Sequence, residues 1–205
     1  MSPRSFLIFC FLAVFLLVGL VSAQGVSKTG KKDGTALYKA AKTLPSDTYE
    51  FRSAISKKSL TFVSSGNIVT PRKSGQKIWG VKRYKKTKYF TARGKNKAGL
   101  EKCISTRWTV TKKGGYPDAA VLWQCEVDTK KHDTGGYEPI KTPKQLWLAV
   151  PDKKYEGYYK IVSASHLYDM IPRCIAASGI NGGTKLTKCK VNTENKSLLW
   201  KLVRK

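Results

Sequence analysis

Residues Arg173 to Val203 read RCIAASGINGGTKLTKCKVNTENKSLLWKLV, and this stretch decides the fold. It holds two short apolar strands with a Gly-rich turn between them. Cys174 opens the first strand and Cys189 closes the second, and Trp200 then opens a last short strand. Two cysteines placed this way about Gly182-Gly183 suit a stapled hairpin.

The pattern occurs twice more upstream. The last copy has Cys174-Ile175-Ala176, then GTKLTKC ending at Cys189, then SLLW ending at Trp200. The middle copy has Cys103-Ile104-Ser105, then AAVLWQC ending at Cys125, then KQLW ending at Trp147. The first has Leu60-Thr61-Phe62, then GQKIWGV ending at Val81, then TKYF ending at Phe90. In this alignment Leu60 and Val81 replace the cysteines and Phe90 replaces the tryptophan. The lead-in recurs as well: YEFRSA from Tyr49 resembles YKIVSA from Tyr159. Three copies of one strand set, each too small to bury its own apolar face, must share a core. The alignment fills that core with Leu60, Val81, the cystines and their partner aromatics.

Residues 1–23 stand apart. Arg4 precedes an unbroken apolar run from Phe6 to Val21, and Val21-Ser22-Ala23 offers small residues before Gln24. This predicts a cleaved secretory signal peptide and an extracellular address. No second apolar run of that length follows, so no membrane span is expected after cleavage. Residues 24–47 are rich in Gly, Lys and Ser and predict a flexible basic arm, with one helical turn around Ala36 to Lys42. Residues 48–205 predict one all-β domain, in which Tyr49, Phe51 and Ile55 alternate as a half-buried strand.

Four cysteines remain once Cys10 leaves with the signal. An even count in an oxidising compartment implies disulfides, and three connectivities are open. The repeat alignment favours Cys103–Cys125 and Cys174–Cys189, each closing a loop that contributes about 3 kcal/mol. There is no CxxC, and neither histidine stands at ligand spacing from a cysteine, so no metal or other cofactor is expected. No GxSxG or HExxH is present, and His132-Asp133 in a loop makes no triad by adjacency. A non-enzyme is expected.

Lys and Arg number 39 against 13 Asp and Glu, a formal net charge of +26. Self-repulsion on this scale destabilises a compact chain and implies attraction to polyanions. Sulfated or uronic glycans, anionic membrane or wall surfaces and nucleic acid all qualify, and no feature singles out nucleic acid. The densest basic segment holds Lys82, Arg83, Lys85, Lys86 and Lys88 with interleaved Tyr84 and Tyr89. It reads equally as a polyanion-binding surface or as a strand edge kept soluble by lysines. Asn195-Lys196-Ser197 is a glycosylation sequon.

The residues Cys103, Trp123, Cys125, Gln145-Leu146-Trp147, Cys174, Cys189 and Leu199-Trp200 resemble those of the ricin-B-type lectin family. Gln145 to Trp147 matches its QxW motif, and Leu198 to Trp200 is a degenerate version. The resemblance spans residues 48–204. It implies a β-trefoil, twelve short strands in three pseudo-symmetric units, and a monomeric glycan-binding module. In that family an aromatic ring stacks on the sugar, an acidic residue two places after the first cysteine accepts its hydroxyls, and an Asn precedes the QxW Gln. Trp123 and Trp79 hold the aromatic place here, where core packing is an equal reading. For Trp147 and Trp200 core packing is the expectation. The acidic place holds Phe62, Ser105 and Ala176, and Lys144 precedes Gln145. Loss of the carboxylate removes a charge-assisted acceptor for neutral sugars, and Lys144 suits an acidic sugar better. The expected ligand site is therefore Trp79, Trp123, Ser105, Lys144 and Gln145, with anionic glycans as partners. The alternative is a secreted protease inhibitor or host-directed effector on the same fold, presenting the loops Thr129 to Lys141 or Lys112 to Asp118.

Overall fold

A computed structural model describes residues 28–62, 69–73, 75–96, 98–107, 119–128, 143–165, 167, 171–178 and 183–205. The expected signal segment, His132, His166 and both candidate inhibitor loops lie outside these residues. Among the described residues one α-helix, α1 (Lys28–Ala40), precedes twelve strands. The first four are β1 (Asp47–Ser53), β2 (Ser59–Phe62), β3 (Val69–Arg72) and β4 (Trp79–Arg83). Then come β5 (Phe90–Lys95), β6 (Glu101–Arg107), β7 (Ala119–Trp123) and β8 (Trp147–Pro151). The last are β9 (Tyr158–Ser163), β10 (Arg173–Ala176), β11 (Lys185–Lys188) and β12 (Leu199–Arg204).

The strands repeat in sets of four. The first and fourth of each set pair antiparallel: β1 with β4, β5 with β8, β9 with β12. Each fourth strand also pairs with the first of the next set, and β12 returns to β1. Six strands thus close a barrel, which leaves no open edge around its circumference. The second and third strands of each set form a hairpin: β2–β3, β6–β7 and β10–β11. Among the described residues strand β3 pairs only with β2. That is why Pro71, which has no N–H to give, is tolerated in it.

Three tryptophans fix the register of the sets. Trp79, Trp147 and Trp200 are buried, and each indole N–H donates to a backbone carbonyl: Leu60 at 2.8 Å, Ile104 at 2.9 Å and Ile175 at 2.9 Å. Their strand partners are Tyr49, Phe90 and Tyr159. This corrects the alignment of the first copy. Trp79, not Phe90, stands at the tryptophan place, and Phe90 takes the place of Tyr49 and Tyr159. Ser59, not Leu60, faces Arg52 as Cys103 faces Arg93 and Cys174 faces Val162. Ile55 lies beyond β1 in a turn and is 49 % exposed. The barrel interior is filled by Phe51, Leu60, Ala92, Ile104, Ile161 and Ile175 with the tryptophans.

Opposite Trp200 and Trp147 stand Ser53 and Ser163. Gly94 fills the corresponding place, where an added Cβ would fall 2.9 Å from the Trp79 ring. The ring is enclosed and bonded, so it cannot retreat without repacking. Gly94→Ala is expected to lower stability by about 1–3 kcal/mol, read as a fall in the urea midpoint.

Both disulfides form, Cys103–Cys125 and Cys174–Cys189, each within one set of four strands. Cys174 and Cys189 do not fill the barrel; they pack in a second apolar cluster outside it with Leu146, Leu148 and Val162. The segment expected as a flexible arm with one helical turn is a docked helix instead. Leu37 and Ala41 insert into that second cluster, and the Lys42 N–H donates to Ala149 O at 2.9 Å. Apolar burial by these two residues offsets the chain entropy that composition alone suggested would dominate.

Candidate functional site

Trp123 ends β7 opposite Cys103, one residue before Gln124 and two before the disulfide partner Cys125. Strand alternation turns its side chain away from the core, and it is 47 % exposed. Its indole N–H donates to Glu126 Oε1 at 3.0 Å, which fixes the ring's attitude. Beside it is a recess of about 250 Å³ lined by Asn96, Lys102, Leu122 and Gln124. The Asn96 side chain accepts from the Leu100 N–H at 2.9 Å and so holds the β5–β6 turn against the recess.

The other expected ligand residues are elsewhere. Trp79 is a core residue, and its ring is not available for stacking. Ser105 is buried, with its hydroxyl turned to the Thr106 carbonyl at 3.4 Å. Gln145 is buried and serves the backbone: its amide donates to Gln124 O at 2.6 Å and accepts from the Val127 N–H at 3.1 Å. It thereby props the chain around Cys125 and holds the Trp123 strand end in place. Lys144 is exposed on the short 3₁₀ turn Pro143–Gln145 but does not line the recess; Lys102 is the cation there.

The basic segment divides. Lys82, Arg83, Lys85 and Lys86 are exposed, and the Arg83 guanidinium donates to Thr87 O at 2.8 Å. Lys88 is committed to the fold. Its ammonium donates to the carbonyls of Tyr38 and Lys39 at 3.2 and 2.9 Å, which caps the C-terminal end of α1. Asn195 is exposed, and its Oδ1 caps the turn Lys196–Leu198 by accepting from the Ser197 N–H and hydroxyl. Among the described residues no group of His, Cys, Asp and Glu could hold a metal ion.

A second, larger concavity of about 500 Å³ lies on the first set of strands. Lys57 and Lys58 enter it from the β1–β2 turn, Arg72 and Lys73 from the end of β3, Lys77 from the β3–β4 connection and Lys201 from β12. Arg52 contributes a seventh cation, and Glu50 is the one carboxylate among the described residues of its wall. Glu50 is 3 % exposed and accepts from Arg52 at 2.9 Å, from Lys205 at 3.2 Å and from the Ser59 hydroxyl. The Arg52 hydrogen bond, with those of Ser59 and Lys205, outweighs burial and holds its carboxyl down at about 2, against an ordinary 4.5. Where the other two sets place a cystine, this set therefore places an ionic floor.

Sequence reasoning did not find this cleft, although a signal was present. From Phe51 through Leu100 there are 14 Lys and Arg and no Asp or Glu. So long a stretch without internal neutralisation exceeds what a solvated face requires.

Fold and site together define a class: a disulfide-bonded, strongly basic protein built on a closed six-strand β-barrel, with an exposed-tryptophan recess and a cationic cleft. No family model and no curated protein matches the chain. Among solved structures it is similar to a salivary protein from Culex quiquefasciatus of the Cysteine and Tryptophan-Rich (CWRC) family. That match has 13 % identity and a TM-score of 0.48, over 80 % of this chain and 97 % of the other. It is also similar to a GlcNAcα1-4Gal releasing endo-β-galactosidase from Clostridium perfringens. There the identity is 15 % and the TM-score 0.48, over 77 % of this chain and 32 % of the other.

Proposed function

We propose that the chain is a secreted, non-enzymatic carbohydrate-binding module of the β-trefoil type, with a preference for anionic glycans. The trefoil reading is supported by the threefold recurrence of strand order and of the Trp-to-carbonyl bond. Secretion is supported by two disulfides, which persist in oxidising compartments.

The observation that carries the glycan reading is Trp123. A large indole left half in water at a strand end, oriented by its own N–H bond, leaves surface that water solvates poorly. The C–H face of a pyranose can cover it, while Asn96, Gln124 and Lys102 present polar groups at the rim. Lys102 biases the recess towards a carboxylated or sulfated sugar. No carboxylate among the lining residues accepts neutral hydroxyls in the way the lectin resemblance requires.

A glycan array identifies the best ligand, and titration of Trp123→Ala and Trp123→Phe tests the site. Affinity is expected to fall about tenfold in the alanine variant and to survive largely in the phenylalanine variant. Unchanged affinity in Trp123→Ala removes the recess as the site.

A further inference from the structure

We infer that the cationic cleft of the first strand set is a second binding site, separate from the Trp123 recess, and that it takes a sulfated oligosaccharide segment. The glycan reading above supplies only the choice of a sugar as carrier; the charge arrangement stands on its own.

The cleft concentrates like charge at a cost that Glu50, paired with Arg52 and Lys205, relieves only in part. Barrel closure pairs β1 with β12 and sets Arg52 directly opposite Lys201. Like charges at facing positions of an antiparallel pair are destabilising. The only carboxylate among the described residues of the wall is already shared between Arg52 and Lys205, so Lys58, Arg72, Lys73, Lys77 and Lys201 have no anion among those residues of the cleft. A bound chain of closely spaced anions supplies the missing countercharge.

The shape favours one class of polyanion. The cations come from four separate segments around a concavity, so they can meet anionic groups on several sides of one chain. Five of the seven are lysines, point charges suited to sulfate groups in varied orientation rather than to the bidentate reading of base edges. The single aromatic residue among the described residues of the wall is Tyr158, and its hydroxyl and ring are both engaged by Lys57, at 3.3 Å to the oxygen and 5.7 Å to the ring centre. Unpaired nucleic acid is bound by aromatic platforms on which successive bases stack, and this cleft offers none.

The test titrates the full chain with a fluorescent heparin-derived hexasaccharide, its desulfated counterpart and a single-stranded oligonucleotide, each at several salt concentrations. One variant combines Lys58→Ala, Arg72→Ala, Lys73→Ala and Lys201→Ala. A control of equal charge change combines Lys31→Ala, Lys32→Ala, Lys153→Ala and Lys188→Ala, all exposed and outside the cleft. The cleft variant is expected to bind the sulfated probe roughly twentyfold more weakly, and its slope of log affinity on log salt to fall by about three. The control should lose less than about threefold, the effect of diffuse charge alone. Removing mutual repulsion should leave the melting temperature of the cleft variant unchanged or raised, so a loss of binding is not a loss of fold.

Equal losses in both variants overturn the site, because net charge would then explain the binding. So does tighter binding of the oligonucleotide than of the sulfated probe with the same dependence on the cleft, which would make nucleic acid the ligand. Trp123→Ala separates the two readings. If it abolishes binding of the sulfated probe and the cleft variant does not, the cleft assignment fails and the recess stands. If only the cleft variant loses binding, the cleft stands whatever becomes of the recess.

Discussion

Asp152→Ala lowers folding stability by about 3–5 kcal/mol. The reason is Lys160. Its side chain is 1 % exposed on β9, and its ammonium donates to Asp152 Oδ2 and to Val191 O, both at 2.8 Å. The second carboxylate oxygen of Asp152 accepts from the Lys154 and Tyr155 N–H groups at 3.0 and 3.1 Å. Burial works against the ionised carboxylate, but the Lys160 bond and those two N–H donors prevail and hold its pKa below the ordinary value. The Lys160 ammonium thus ties the β8–β9 connection, through Asp152, to the β11–β12 connection, through Val191 O. Removing the acid strands a buried ammonium with one carbonyl for company. Urea unfolding followed by tryptophan fluorescence measures the effect. The double variant Asp152→Ala, Lys160→Met should regain much of the loss, because the uncompensated charge goes with it. A single variant within about 1 kcal/mol of the parent contradicts the pairing.

Acid should loosen the first strand set through Glu50. Its pKa is held at about 2 in the folded protein against an ordinary 4.5. A depressed carboxyl binds fewer protons when folded, so its contribution is complete above the unfolded pKa and is lost as pH falls through the folded one. The shift corresponds to about 3 kcal/mol at neutral pH, declining between about pH 5 and pH 2. Glu50→Gln should remove most of that stability at neutral pH and flatten the dependence over this window. The comparison is the urea midpoint of parent and variant at pH 7 and pH 3. A parallel pH dependence in the two proteins rules Glu50 out as its source.

The first strand set shows how far sequence reading reached. In the second and third sets a cysteine pair and a tryptophan recur at matched places, and both disulfides and the burial of Trp147 and Trp200 were legible from that recurrence. In the first set the cysteine place holds Ser59, and two aromatic residues, Trp79 and Phe90, compete for the tryptophan place. Aligning Leu60 with the cysteines shifted the register by one residue. In a strand, a shift of one exchanges the faces. A separate error, matching Trp79 with Trp123, put a fourth-strand residue in a third-strand place and made Trp79 look accessible, when its ring is held in the core by Leu60 O and packs against Gly94. Gln145 was misread for a different reason. A motif glutamine can serve a ligand or the backbone, and only the positions of Gln124 and Val127 around it decide.

The sequence by itself determined the all-β class, the threefold repeat and the excess of positive charge and favoured the cystine pairing that forms, because each is carried by residue type and spacing along the chain. Tertiary structure alone decided which tryptophan meets water and where the charge gathers into a cleft. Arg52 and Lys201 are far apart in sequence and face one another only because β12 closes the barrel onto β1. A cleft assembled by strand closure has no local signature: its walls belong to segments that become neighbours only when the chain folds.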